Sequence, residues 1–390
     1  MISFGEFLPD QSDFGNAGVT VANNVIPAAA GYESMQNISP ISGVADEVIV
    51  GMFAAADDDG NVGLYAADRT KIYKFDTTDG SLDDISKAGG YSTGAEDRPR
   101  FVQFGEAVIS TNFADPIQTT TAADAGPFAD LSADAPKAKY LAVVRDFVMT
   151  GFTHDSTDGN KPYRVRWSAL GDYTSWAVSA TTQADFQDIQ DMGDVTGLVG
   201  GEYATILMEK GIVRGSYIGA PLIFQFDKVE TVRGCKVSGS VCNVGHSVFY
   251  LADDGFYMFD GERSRAIGAE KVNRFFLEDW DGAYAKNMTA SADPLRQIIV
   301  WSYASTALRM VHLTNLLSIT TRLISGVPHL LLWIWLHLFI PLATLLKLLM
   351  LLLVILTFYL LLSMVLSIAA ASFYLPLLKT KKSKPSQEAH

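Results

Sequence analysis

Cysteine is scarce in this chain: Cys235 and Cys242 are the only two among 390 residues. Two thiols make no disulfide framework, and their seven-residue separation fits neither a CxxC redox pair nor zinc-ligand spacing. They read as half-buried thiols of a reducing compartment. Basic residues are also few where it matters. Of the 43 acids only Glu388 lies after Ser305, whereas seven of the 30 bases do, so residues 1–305 carry 42 acids against 23 bases, a net of −19. A surface so acidic gains no counterion-release energy on DNA and is not expected to bind nucleic acid. No GxxxxGK[ST] loop, GxSxG elbow or HExxH helix is present, which removes the commonest phosphate, acyl-transfer and zinc chemistries. The opening Met1–Glu6 has neither a basic stretch nor an apolar run, so no secretory signal is expected.

What is present is a hairpin unit that repeats. Between Val195 and Lys271 a short apolar run twice meets a turn and resumes: EYATILM-EKG-IVRGSYIG, then SVFYLA-DDG-FYMFDG. Val, Ile, Phe and Tyr suit a pleated, half-buried surface, and Gly, Asp and Lys mark the reversals. Lys210-Gly211 and Asp254-Gly255 are expected to supply positive φ at tight turns. Further copies run over Glu47–Asp76, Phe101–Asn112, Tyr140–Leu170 and Met288–Ala304. Taking Gly105, Arg145, Gly201, Gly245 and Pro294 as the turn after each first strand gives intervals of 40, 56, 44 and 49 residues. That is the period of a four-stranded propeller blade, since one such sheet cannot cover both of its faces and radial stacking does. The competing all-β fold, a sandwich, is small for so long a run of strands. The predicted fold is all-β, a β-propeller-like array of four-stranded antiparallel blades over 31–305. An extended arm (1–30), with at most one strand around Val19–Ile26, precedes it.

After Ser305 the composition changes. Aspartate vanishes, glycine falls to Gly326 alone, and leucine dominates. Residues Leu348 to Leu378 run without a charge for 31 residues, enough to span a bilayer, and the Lys379–Lys384 cluster would place the end in the cytoplasm. The expected layout is a linker over 306–329, hydrophobic helical segments over 330–378 and a basic disordered tail over 379–390. Because the switch falls inside a blade, after QIIVWSYAS, the propeller is expected to be left incomplete. A shifted reading frame downstream of codon 305 accounts for the abrupt loss of Asp and Gly.

Several residue groups carry possible chemistry. The Asp57–Asn61 turn is rich in acids but lacks the twelve-residue calcium pattern, and local turn preference accounts for it. His154, beside Asp155, has no nucleophile to serve and reads as a loop histidine; His246 reads as a turn residue. Asp185, Asp188, Asp191 and Asp194 fall at three-residue steps, which could line one helical face for a cation or glycan hydroxyls, or form an acidic connection between blades. Trp167, Tyr173 and Trp176 could stack on a sugar or fill the core. No catalytic, cofactor or metal residue is assigned, and no enzymatic activity is expected.

Four stretches together resemble a family: NNVIPAAAGYESMQNISPISG (Asn23–Gly43), RPRFVQFGEAVISTN (Arg98–Asn112), VTGLVGGEYATILMEKGIVRGSYIG, and RGCKVSGSVCNVGHSVFYLADDGFYMFDGERSRAIGAEKVNRFF (Arg233–Phe276). They are similar to the tail-hub, or packaged-DNA stabilisation, proteins of short-tailed bacteriophages. The likeness covers roughly 20–305, and the Leu-rich tail departs from it. It implies a β-propeller-like structural protein of the head–tail connector, retaining DNA by occluding a channel. Its partners are expected to be portal, connector or tail subunits and copies of itself. Its location is then the virion, assembled in the host cytoplasm. The alternatives are a propeller-shaped binding module anchored in the inner membrane through Leu348–Leu378, and a carbohydrate-active propeller.

Overall fold

The computed structural model describes residues 5–28, 31–35, 40–122 and 126–306, with the backbone of two further strands at 314–324 and 327–331. The Leu348–Leu378 span, the hydrophobic segment from 332 and the basic tail lie outside the described residues. Among the described residues no helix is long and apolar enough to cross a membrane.

Six four-stranded antiparallel sheets follow one another along the chain, each ordered as in the sequence. Blade 1 pairs Gly51–Ala56, Val62–Ala67, Ile72–Phe75 and Leu82–Asp84. Blade 2 has Arg100–Phe104, Ala107–Thr111, Gln118–Thr121 and Ala129–Asp130. Blade 3 has Lys137–Val144, Phe147–Asp155, Gly159–Trp167 and Asp185–Asp188. Blade 4 has Val195–Val199, Tyr203–Met208, Ile212–Gly219 and Ile223–Glu230, and blade 5 has Cys242–Val244, Ser247–Ala252, Gly255–Phe259 and Ser264–Ala266. Blade 6 begins with Thr289–Asp293 and Ile298–Ala304 and continues through Thr314–Ile324 and Val327–Leu331. The first strands of successive blades touch one another, blade 1 to 2, 2 to 3, 3 to 4 and 5 to 6, so these strands surround the axis. This is a β-propeller.

The second strand of each blade explains the apolar runs in the sequence. It lies mid-sheet with a neighbouring blade against each face, so alternation gives way to continuous burial. All of Ala107–Thr111 is buried, as are five of the six residues of Val62–Ala67, Tyr203–Met208 and Ser247–Ala252. The core is accordingly a set of separate clusters between consecutive blades. Tyr65 and Ile72 meet Val108 and Phe128 between blades 1 and 2, and Ile109 meets Val148 and Trp176 between blades 2 and 3. Phe147 packs edge-on against Phe224, ring centroids 5.2 Å apart, between blades 3 and 4, and Leu207 packs with Tyr250 and Phe259 between blades 4 and 5. Phe256 lies 5.0 Å from Trp301 between blades 5 and 6. Burying each such side chain contributes about 1.5–3 kcal/mol.

The turn markers are confirmed in their geometry. Gly105, Arg145, Gly201 and Gly245 all have positive φ, and in blade 6 the strained position is Gln297. Gly255 has positive φ as expected; Gly211 does not. Glycine is needed at 211 because a Cβ would meet the carbonyl oxygen of Glu230.

Two segments differ from the sequence reading. The arm's strand is Val25–Ala28, paired with Gly31–Ser34, rather than Val19–Ile26. Upstream of it, Phe7 is fully buried with the cluster of blades 5 and 6 and bridges to Val19. The second difference is at 306–329, where Thr314–Ile324 pairs with Ile298–Ala304 and gives blade 6 its third strand. The run TNLLSITTRLI is rich in β-branched residues, and an unpaired Ile298–Ala304 edge is a strong template for it.

Candidate functional site

A polar recess opens between blades 2 and 3, a cleft of about 640 Å³ lined by Asp130, Asp134, Lys137, His154, Arg166 and Phe186, among others. Blade 3 builds it. Its second and third strands are nine residues each and run past the short outer strand to the Asp155–Gly159 turn, which lines the groove. Within that turn Asp155 accepts from the amides of Thr157 and Asp158 at 2.9 and 2.7 Å.

Arg164 is the centre of the cleft wall. Its Nε and Nη2 donate to the two carboxylate oxygens of Asp188 at 2.6 and 3.1 Å, a paired geometry, and Nη1 donates to Asp158. The Phe186 ring covers the guanidinium at 3.9 Å. Burial works against the Arg164 charge, but the bonds to Asp188 and Asp158 outweigh it and its pKa is raised. The same bond to Arg164 holds the Asp158 carboxyl below its ordinary range. Arg166 reaches Asp155 at 3.5 Å and donates to the Trp176 carbonyl at 2.8 Å. Burial, with Arg164 nearby, lowers its pKa. Asp155, Asp158 and Asp188 are therefore bound to arginines, which braces the cleft wall.

The four spaced aspartates do not share a helical face. Asp185 and Asp188 are on a strand, Asp191 is in the one-turn 3-10 helix Gln190–Met192, and Asp194 follows it. The strand wins because Arg164–Trp167 offers an unpaired edge for residues 185–188. Asp188 pairs with Arg164, Asp191 with Lys228, and Asp194 lies beside Glu209, where burial and then that like charge raise its pKa. Trp167 and Trp176 are core residues whose indole N–H groups donate to the Gln183 and Tyr173 carbonyls. His154 is on a strand facing the cleft, not in a loop. Asp57 closes its turn by accepting from the Asn61 amide at 2.8 Å. Cys235 and Cys242 are fully enclosed rather than half-buried, which pushes their thiols up to about 11 and about 12. Among the described residues no group of acids, histidines and cysteines could hold a metal ion.

A second feature, unmarked in the sequence, is a set of exposed apolar side chains on two adjoining connections of blades 3 and 4. Ile218 and Leu222 flank the tip joining the last two strands of blade 4 and are 49% and 69% exposed. Leu170 and Val178, in the connection between the last two strands of blade 3, are exposed as well. The two segments touch: the Tyr217 hydroxyl lies 3.1 Å from the Gln183 side-chain oxygen. The notable signal is the run YIGAPLIF, where a surface turn would ordinarily carry polar residues.

No protein family and no curated protein matches the chain in sequence. Solved structures match in shape. A computationally designed protein, Ika8, aligns over 71% of this chain and 73% of its own, at 14% identity and a TM-score of 0.39. A putative 6-phosphogluconolactonase from Bacteroides uniformis aligns over 72% and 80%, at 12% identity and 0.41. An ancestral GH74 enzyme aligns over 77% and 40%, at 10% identity and 0.42.

Proposed function

We propose that this propeller is a structural subunit of a bacteriophage head–tail connector or tail hub, working through contacts with other virion proteins and with copies of itself. The observation that carries the reading is the set of exposed apolar side chains Leu170, Val178, Ile218 and Leu222 on adjoining segments of an otherwise strongly acidic body. Isolated exposed apolar residues need no explanation, but a group on touching segments is the mark of a surface that another protein covers. The similarity of the four quoted stretches to tail-hub proteins names the kind of partner. Asp155, Asp158 and Asp188 are bound to arginines, which takes these three out of the free acid pair that a carbohydrate-active reading requires. The test is chemical cross-linking and mass spectrometry of purified particles. Cross-links from the 170–222 region to portal or tail subunits are expected. Absence of the chain from particles contradicts the assignment.

A further inference from the structure

Three guanidinium groups lie close enough to repel one another at the end of the ring where the first strands of blades 1 and 2 begin. Arg98 leads into the first strand of blade 2, yet it donates to the main-chain carbonyl of Lys286, just ahead of blade 6. Its other terminal nitrogen faces Gly239, just ahead of blade 5. A side chain of blade 2 thus reaches the approaches to both blades 5 and 6. Arg100, two residues on, lies over the Tyr140 ring of blade 3 at 4.8 Å. Arg69 holds the 94–97 loop by donating to the carbonyls of Gly94, Ala95 and Asp97.

None of the three pairs with a carboxylate among the described residues. The nearby acids are engaged elsewhere: Glu96 with Lys286 at 2.6 Å and Asp97 with Lys139 at 2.9 Å. Arg98 is crowded by protein, and burial followed by repulsion from Arg100 and Arg69 pulls its pKa down to about 10. It nonetheless keeps partial contact with solvent. Clustered, uncompensated guanidiniums oppose folding unless an anion joins them. In a body with a net charge of −19 over residues 1–305, acids to neutralise them were abundant, and they do not occupy this position.

We infer that Arg98 and Arg100, supported by Arg69, form a site for a small oxyanion, a phosphate or a carboxylate, at the end of the ring where the first strands begin. The planar donors of arginine suit either group, and the Tyr140 ring fixes the plane of one of them.

The experiment is thermal unfolding of the full chain in chloride, with inorganic phosphate or acetate added at constant ionic strength. A saturable rise in Tm of about 2–4 °C with at least one anion is expected, from binding to the folded state alone. Arg98→Gln abolishes the rise, whereas Arg274→Gln, at an exposed position of the Asn273–Asp279 helix, keeps it. Arg98→Gln also matches or exceeds the wild type in chloride, since it removes the repulsion. A response to phosphate but not acetate assigns a phosphate site, and the reverse a carboxylate site. No saturable rise with either anion, an undiminished rise in Arg98→Gln, or a lower Tm of that variant in chloride overturns the proposal. Arg100→Gln, read the same way, gives a second measurement independent of the folding of the first.

Discussion

The carboxylate of Asp10 accepts hydrogen bonds from the backbone amides of Arg274 at 2.9 Å and Phe275 at 2.8 Å, more than 260 residues along the chain. Those amides open the short helix Asn273–Asp279, whose first N–H groups have no partner within the helix. The arm thus caps the connection between blades 5 and 6 from outside. Lys271 to Glu6 at 3.1 Å and the T-shaped Phe7–Phe275 pair at 5.6 Å fix the same joint.

Asp10→Ala is expected to destabilise the folded chain by about 1 kcal/mol, the usual loss for an N-terminal cap. Phe7→Ala costs more, about 3–5 kcal/mol, because its site closes only partly. Urea unfolding monitored by tryptophan fluorescence measures both. An unchanged midpoint for Phe7→Ala contradicts the integration of the arm into the core.

A pH dependence follows from Asp115. Burial raises its pKa, but the Ser92 amide, the Asn112 side chain and Lys87 outweigh this and hold it below the ordinary 3.8. A depressed carboxyl contributes stability above its unfolded pKa and loses it as pH falls through the folded one. Asp115→Asn is therefore expected to cost about 1–2 kcal/mol at pH 7. The gap from the wild type should close below about pH 4, the unfolded value. A gap independent of pH between 3 and 7 contradicts the role of the charge.

The thiols supply a chemical test. With both pushed up to about 11 and about 12 by burial, neither forms appreciable thiolate at pH 8. A disulfide reagent at that pH should label no more than a trace of native protein and two thiols per chain after denaturation. Rapid native labelling contradicts the enclosed placement.

Local rules made the blades legible and left the arginine cluster and the arm hidden. Positive φ at Gly105, Arg145, Gly201 and Gly245 follows from the tight first turn of each blade, and each of those turns stands out as a break between apolar runs. Gly211 also breaks such a run, but its cause is the approach of Glu230, a partner from a different strand. The spaced aspartates suggested a helix because three-residue steps are compatible with one; the free edge of Arg164–Trp167 decided for strand. Arg98 offers no local signal at all, since its contact with Lys286 spans 188 residues. Ile218 falls within the hairpin unit of the sequence and Leu222 just after it, and only the fold shows that both stay uncovered.

The most direct measurement is light scattering with size-exclusion chromatography on the chain and on its Ile218→Ser, Leu222→Ser double variant. Surface substitutions of this kind leave stability within about 0.5 kcal/mol, so a shared Tm serves as the control for folding. The wild type is expected to form a discrete, concentration-dependent ring-sized assembly that the double variant loses at unchanged Tm. A wild type that stays monomeric at every concentration, or a double variant that assembles just as well, contradicts an apolar surface built for subunit contact.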